Sequence, residues 1–516
     1  MFNRFFGSNT HTYLHIFGLS GIAVGIPLNK IVMSIGMMFV VLNLLLEGDF
    51  KSYYKNLKTN KTYLLILGFF LLHVISIFWS TNLEYFIDDL RVKLPLLVLP
   101  TVIVAKPILQ QLYLKIILWS ISISTLLITF LNYLSYNQVL GKHQYTDIRG
   151  LSLFSSHIRL ALIISMVIII LLTFIKRKNI RFNTLLIVLI FWLTYYTFYS
   201  QVLSGVLTLS IGVSTYIILQ LWTKRKWLLI PFFSIAILTI ISLLIWTFSP
   251  VEINKNDYKN LETQSISGND YKHEFAFISP INNKPTHLYV CNAEINRDWI
   301  LYSSVPIDSL DSKGQVIKET LIRYLFSKNL RKDSIGLSQL SLMDIKNIEQ
   351  GKTSAKKRNF FSRLYGVKYQ IINSHDPNGH SILQRMEFWK TGWQIATKNF
   401  ILGTGSGDVQ DAFNLQYIVN NSDLRIENRK RAHNYYLTIL LTFGIIGLLY
   451  FLWMIIHFIC VNFQNNTIIG LLFMVIIIAS FLVEDTIETQ TGVTFFGLFY
   501  GLYSLKKEDN EKLKDH

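Results

Sequence analysis

The chain has 516 residues, of which 51% are apolar, 14% aromatic and only 16% charged, and its formal net charge is +17. Soluble domains carry about a quarter charged residues, so a soluble globular protein is excluded, and without two-residue alternation an outer-membrane barrel is a poor fit. The two cysteines, Cys291 and Cys460, provide no disulfide framework, and no Cys/His spacing reads as a metal site.

The first apolar run, 12–28, has no small-residue cleavage site behind it and leads directly into a second, so it reads as a retained span rather than a signal. In chain order the apolar runs are 12–28, 31–46, 62–79, 92–105, 108–134, 152–174, 183–200, 202–222, 227–248, 433–460, 466–484 and 490–505. Most are close to the ~20 residues that a helix needs to cross hydrocarbon. Four short segments are basic: Lys51/Lys55/Lys58/Lys61, Lys176/Arg177/Lys178/Arg181, Lys224/Arg225/Lys226, and the tail with Lys506/Lys507/Lys512/Lys514. With twelve spans all four fall on one side, which the positive-inside rule makes cytoplasmic. The expected fold is an all-α polytopic membrane protein. Residues 1–248 hold spans one to nine, 433–505 hold spans ten to twelve, and 506–516 form a cytoplasmic tail.

Residues 249–432 then form one large extracytoplasmic segment. It is basic, but loops much longer than ~60 residues translocate regardless of charge. Its first part, 249–352, reads as a mixed α/β insertion, with a strand at 287–291 and helices near 313–327 and 337–350. The second part, 353–432, reads as basic and helical. Cys291 and Cys460 lie on opposite faces of the membrane in this arrangement and cannot pair. Around 356–369 the rings of Phe360, Phe361, Tyr365 and Tyr369 mix with Lys356, Lys357, Arg358, Arg363 and Lys368. That stretch either lies at headgroup level or packs its aromatics into the domain. An outside location argues against nucleic acid as a partner and suits membrane lipids or an anionic lipid-linked substrate.

Three features further along bear on chemistry. A helix carrying Arg385, Trp389 and Trp393 precedes the turn Gly403-Thr-Gly-Ser-Gly407. The N–H groups of such a turn either receive phosphate oxygens at the next helix start, or the glycines Gly403, Gly405 and Gly407 simply serve a tight turn. Arg431 and His433-Asn434 enter the tenth span, where His433 is either a general base near neutral pH or an interfacial polar residue. Glu484, Asp485 and Glu488 end the eleventh span. They are expected to orient Arg385 or another arginine rather than bind metal, since unpaired buried carboxylates are costly.

His433-Asn434, with Gly444 ten residues on and Gly447 three further, resembles the signature of the O-antigen ligase/polymerase family of bacterial membrane glycosyltransferases. The Arg385 helix and the glycine turn are similar to the family's second block, and a large outer loop between spans nine and ten resembles the ligases. The resemblance covers the architecture broadly and 385–450 in specific motifs. It implies a donor glycan on undecaprenyl diphosphate and an acceptor hydroxyl, with lipid A–core favoured by the single dominant loop. Another lipid-linked repeat (a polysaccharide polymerase) or a protein hydroxyl (a protein O-oligosaccharyltransferase) are the alternatives. The implied roles are His433 as base and Arg385 as diphosphate holder, with Arg431, Asn434, Gly403, Gly405 and Gly407 binding substrate, in an inverting reaction without metal or other cofactor. The sequence departs from the family where a basic residue is common near the seventh-to-eighth span joint, having Tyr199 to Gly205 there. Arg149, His157 and Arg159, at the mouth of the sixth span, are the replacement, although Arg149 equally suits snorkelling to headgroups. The 249–352 insertion is unexplained by the motif. Outside the enzyme class, a lipid-linked glycan flippase should show internal repeats and ionisable residues deep in spans, and only His73 and His457 stand out there. A binding-only assembly factor would show no transfer.

Overall fold

The computed structural model describes residues 8–108, 110–140, 151–175, 179–249, 253, 255–356, 360–373 and 376–504. Ten helices come first: α1 (Ser8–Leu28), α2 (Lys30–Glu47), α3 (Phe50–Thr59), α4 (Lys61–Ile75), α5 (Leu83–Ala105), α6 (Gln111–Tyr136), α7 (His157–Phe174), α8 (Ile180–Tyr199), α9 (Leu203–Lys224) and α10 (Leu229–Phe248). Two strands follow, β1 (Lys272–Ile278) and β2 (Pro285–Val290), and then α11 (Asn292–Asp298), α12 (Ile317–Ser327), α13 (Ser334–Ser338), α14 (Leu342–Glu349) and α15 (Phe360–Asn373). The chain continues with α16 (Ser381–Lys398), α17 (Val409–Val419), α18 (Tyr435–Gln464), α19 (Ile468–Phe481) and α20 (Gln490–Leu502).

Each predicted span coincides with a helix. Among the described residues eight are long and apolar enough to cross a membrane: α1, α2, α4 with its 3₁₀ extension to Trp79, α6, α7, α8, α9 and α18. The protein is therefore a multi-pass helical membrane protein. Two of the other predicted spans fall short because α19 and α20 have only 14 and 13 residues. A third, α5, starts nine residues before the predicted boundary and carries Glu84, Asp88, Asp89, Arg91 and Lys93.

Two compact units make up the chain. The first takes 1–229, 388–420 and 430–516, and the second takes 230–387 and 421–429. In the first unit the helices run up and down around one apolar core that includes Leu19, Ile66, Leu96, Ile163, Phe451, Phe473 and Phe499. Side-chain ties fix which ends meet. At one end Gln490 bonds Ser34 (3.1 Å) and Lys93 bonds the Ile487 carbonyl (2.8 Å). At the opposite end Asn60 and Asn462 bond the carbonyls of Ser504 (2.7 Å) and Tyr503 (3.2 Å), and Asn56 bonds that of Ala105 (3.0 Å). Short connections make successive helices antiparallel neighbours.

The second unit has its own core of Ile295, Trp299, Ile317, Leu321, Leu325, Leu337 and Ile348, beside the antiparallel β1–β2 hairpin. The predicted strand is β2. The helix expected from 313 begins only at Ile317, because Gly314 takes a positive φ of 78° in a turn closed by Asp311 N–H and the Gln315 carbonyl (2.7 Å). The helix expected over 337–350 is split by Ser341, which caps α14 in a reciprocal pair with Asp344. The aromatic-basic stretch is α15, whose Tyr365 and Lys368 meet the end of α10: the Tyr365 ring is 5.5 Å from Trp246, and Lys368 donates to the Trp246 carbonyl (2.6 Å). Cys291 is buried, Cys460 is exposed, and both are free thiols.

Candidate active site

The element that carries His433 is a broken helix. At Gly444, φ is 65° and ψ is −165°, outside helical values. Rings sixteen residues apart in a straight helix are separated by about 24 Å along the axis, yet the Tyr435 ring lies 5.4 Å from that of Phe451. The chain thus folds sharply at Gly444 into a short piece, 435–443, and a long one, 445–464. A break frees backbone groups that an apolar bundle cannot leave unpaired. The glycine turn pairs them: Thr404 and Gly405 donate to the carbonyls of Leu441 (2.8 Å) and Thr442 (2.9 Å), while Ile445 donates to Phe400 (2.8 Å). Close approach makes glycine necessary on both sides. A Cβ on Gly403 would lie 2.3 Å from the Thr442 carbonyl oxygen, and one on Gly444 would lie 2.1 Å from that of Ile401.

The remaining N–H groups of that turn are occupied too. Gly403 donates to Asn399 (2.9 Å), Ser406 to Ser76 Oγ (3.3 Å) and Gly407 to Ser80 Oγ (3.1 Å). The N–H groups of Gly403, Gly405 and Gly407, the glycines of the phosphate-cradle expectation, thus all donate within the protein, and the turn packs against the break in α18. Asp408, just beyond it, accepts from the N–H groups of Thr81 (2.9 Å) and Asn82 (2.8 Å) and so fastens the start of α5.

At the other end of the short piece, His433 is left-handed (φ 48°), an uncommon conformation outside glycine. Its N–H donates to Asp485 Oδ2 (2.9 Å), and the second Asp485 oxygen accepts from Thr438 Oγ1 (2.8 Å). The Asn434 side chain accepts from the Leu437 N–H (3.1 Å), capping the helix, and its amide donates to the Leu482 carbonyl (3.2 Å). These bonds make Asn434 a cap and a tether. The imidazole is one-third exposed, with Nδ1 3.5 Å from Glu484 Oε2 and the ring 5.7 Å from that of Phe388.

The acidic segment behind this turn is almost fully buried, with Glu484 only 2% exposed. Helices of 14 and 13 residues are about 20 Å long, short of the ~30 Å hydrocarbon thickness, so the connection between α19 and α20 is set into the bundle. Burial of carboxylates requires cations nearby. Arg159 reaches Glu484 (3.8 Å) and the Asp485 carbonyl (3.4 Å), and its Nε has no partner. Arg431 pairs with Glu488 Oε2 (3.1 Å), and Lys93 holds the other Glu488 oxygen. Burial pushes the Asp485 pKa up, and the neighbouring Glu488 charge adds to that. Burial alone would raise Glu488 as well, but Lys93 and Arg431 outweigh it and bring Glu488 down to about 2.

Residues 335–452 match the family model described as O-Antigen ligase. This domain match supports an O-antigen ligase family. No curated protein matches the chain. The ligase-family match contains Arg385, the glycine turn, Arg431, His433, Asn434 and the Gly444 break, whereas Arg159, Lys93 and the three acids lie outside it. The match supports a transferase set in a membrane.

Of the other residues singled out in the sequence, Arg385 lies on α16, in the part of that helix that belongs to the second unit. His157 opens α7 and lines a small cleft with Leu151, Ser152, Ile164, Tyr196 and Ser200. Arg149 lies outside the described residues. Among the described residues no three His, Cys, Asp or Glu side chains converge as metal ligands. Lys93, Thr438 and Asp408 were missed by sequence reasoning. Only Lys93 gives a sequence signal, a basic residue at the edge of an apolar run with Asp89 one turn before it.

Proposed function

We propose that the protein transfers a glycan from undecaprenyl diphosphate to an acceptor hydroxyl on the outer face of the bacterial cell membrane, with lipid A–core as the acceptor. The observation that carries this reading is the His433 turn. A one-third-exposed imidazole, itself within the matched domain, is held by its backbone on Asp485, with Glu484 beside Nδ1.

In this reading the acceptor oxygen attacks the anomeric carbon, and His433 takes the hydroxyl proton. The Glu484 carboxylate beside one ring nitrogen helps to orient the imidazole. The bond from the anomeric carbon to the diphosphate oxygen breaks, and the electron pair leaves with the diphosphate. Direct displacement inverts the anomeric centre. Charge developing on the leaving group is met by fixed cations in a site of low dielectric. Arg385 holds the diphosphate with its planar fork, and Arg159, whose Nε is uncommitted, adds a second donor, with Arg149 and His157 beside it in sequence. Arg431, already paired with Glu488, supports the turn. The chemistry in this reading calls for no metal.

The test uses the purified full-length protein with lipid-linked glycan and, in separate reactions, lipid A–core, a second lipid-linked repeat and a protein acceptor. Product on lipid A–core is expected. Product only on a lipid-linked repeat or only on protein would reassign the acceptor within the family. Movement of labelled lipid across proteoliposomes without any product would replace the transferase by a flippase.

A further inference from the structure

We propose that Lys93 is a positioning residue for the transfer, the buried counter-charge that, through Glu488, fixes Arg431 and the turn carrying His433. The inference rests on the transferase reading above and adds a residue outside the matched domain. Lys93 stands ten residues into α5 and is 1% exposed. An ammonium group is expensive to bury without partners, and the next buried residues of α5, Pro95, Leu96 and Leu99, are apolar. Its partners all belong to one place: the Glu488 carboxylate, the Ile487 carbonyl (2.8 Å) and Asp89 one turn back (3.8 Å).

The two oxygens of Glu488 divide their work, Oε1 to Lys93 and Oε2 to Arg431. Arg431 precedes His433 by two residues, with the fully buried Ala432 between them, so little slack exists to absorb a shift. Through the Ile487 carbonyl, Lys93 also grips the backbone of the 3₁₀ turn Thr486–Glu488. Asp485, which holds the His433 N–H, immediately precedes that turn. Lys93 therefore fixes both the side chain and the main chain of the segment that sets the His433 turn.

Lys93→Met alone leaves Glu488 short of a cation and threatens folding, so the informative variant is Lys93→Met/Glu488→Gln, which removes both charges. The full chain is purified, its thermal midpoint measured, and kcat and KM for lipid-linked donor determined beside wild type. The expected result is a folded double variant with kcat lower by about 10²-fold, as for a misplacement near 1 Å, and a donor KM within a few-fold of wild type. Wild-type kcat in the double variant would overturn the inference by reducing Lys93 to a neutraliser of Glu488. So would a fall in turnover that only follows the loss of folded protein. A wild-type protein inactive with every acceptor would instead remove the transferase reading, and this inference with it.

Discussion

His433 and Arg385 carry different loads in the proposed reaction, and their variants separate them. His433→Gln keeps size and a polar tip but loses the proton acceptor, so transfer should fall by roughly 10²–10⁴-fold while donor binding persists. Arg385→Ala should lose donor affinity as well as rate, and Arg385→Lys should recover little, because a point charge does not copy the fork. Turnover within a few-fold of wild type for His433→Gln would return that residue to a merely interfacial role. Glu488 supports a pH prediction. Its folded pKa lies near 2, below the ordinary 4.5, so its stabilising contribution is complete above pH ~4.5 and is lost as pH falls towards 2. Thermal midpoints of wild type should therefore drop across that window more steeply than those of Glu488→Gln, and parallel curves would refute the linkage. Arg431 and His433 were legible from their place at the start of a span, and the acids because they end one. Lys93 was not, because a span boundary drawn at residue 92 placed it at an edge where snorkelling explains any lysine.

The helix break is the element on which the site is built. Gly403→Ala and Gly444→Ala each force an alanine into positive φ and against a backbone oxygen 2.1–2.3 Å away. Each should destabilise by at least about 1 kcal/mol and lower turnover, since the piece 435–443 hangs from that joint. Gly21→Ala in α1 is the control: nothing lies within 4 Å of its added methyl, and alanine favours a helix by up to ~1 kcal/mol. Thermal unfolding in detergent reads all three, and Gly444→Ala with the stability of Gly21→Ala would contradict the account. The glycine spacing was visible in the sequence, but its cause was not. The carbonyls of Leu441 and Thr442 are satisfied by a loop some forty residues earlier, and no local periodicity encodes that pairing.

For the whole molecule the apolar runs proved sufficient to locate the helices, because a bilayer imposes length and apolarity on every crossing. Reporter fusions at Lys178 and Lys226 should read cytoplasmic and one at Asn329 outside, following the basic short connections; a cytoplasmic signal at Asn329 would reject the orientation. Residues 388–420 pack with the first unit, because the glycine turn between α16 and α17 closes the break in α18, a long-range pairing that no local pattern in the sequence encodes.

The pairing of Lys93 with Glu488 also has a timetable. The two residues are 395 positions apart, and ribosomes add about 5–20 residues per second, so Glu488 emerges roughly 20–80 s after Lys93. Throughout that interval α5 is in the membrane or waiting beside it, with an ammonium group whose final partner does not yet exist and only Asp89, one turn away, to share its charge. Insertion of the first helices is therefore provisional. The nascent chain must tolerate, or be helped through, tens of seconds in which this ammonium group has only Asp89 beside it, until the segment that joins α19 to α20 is made.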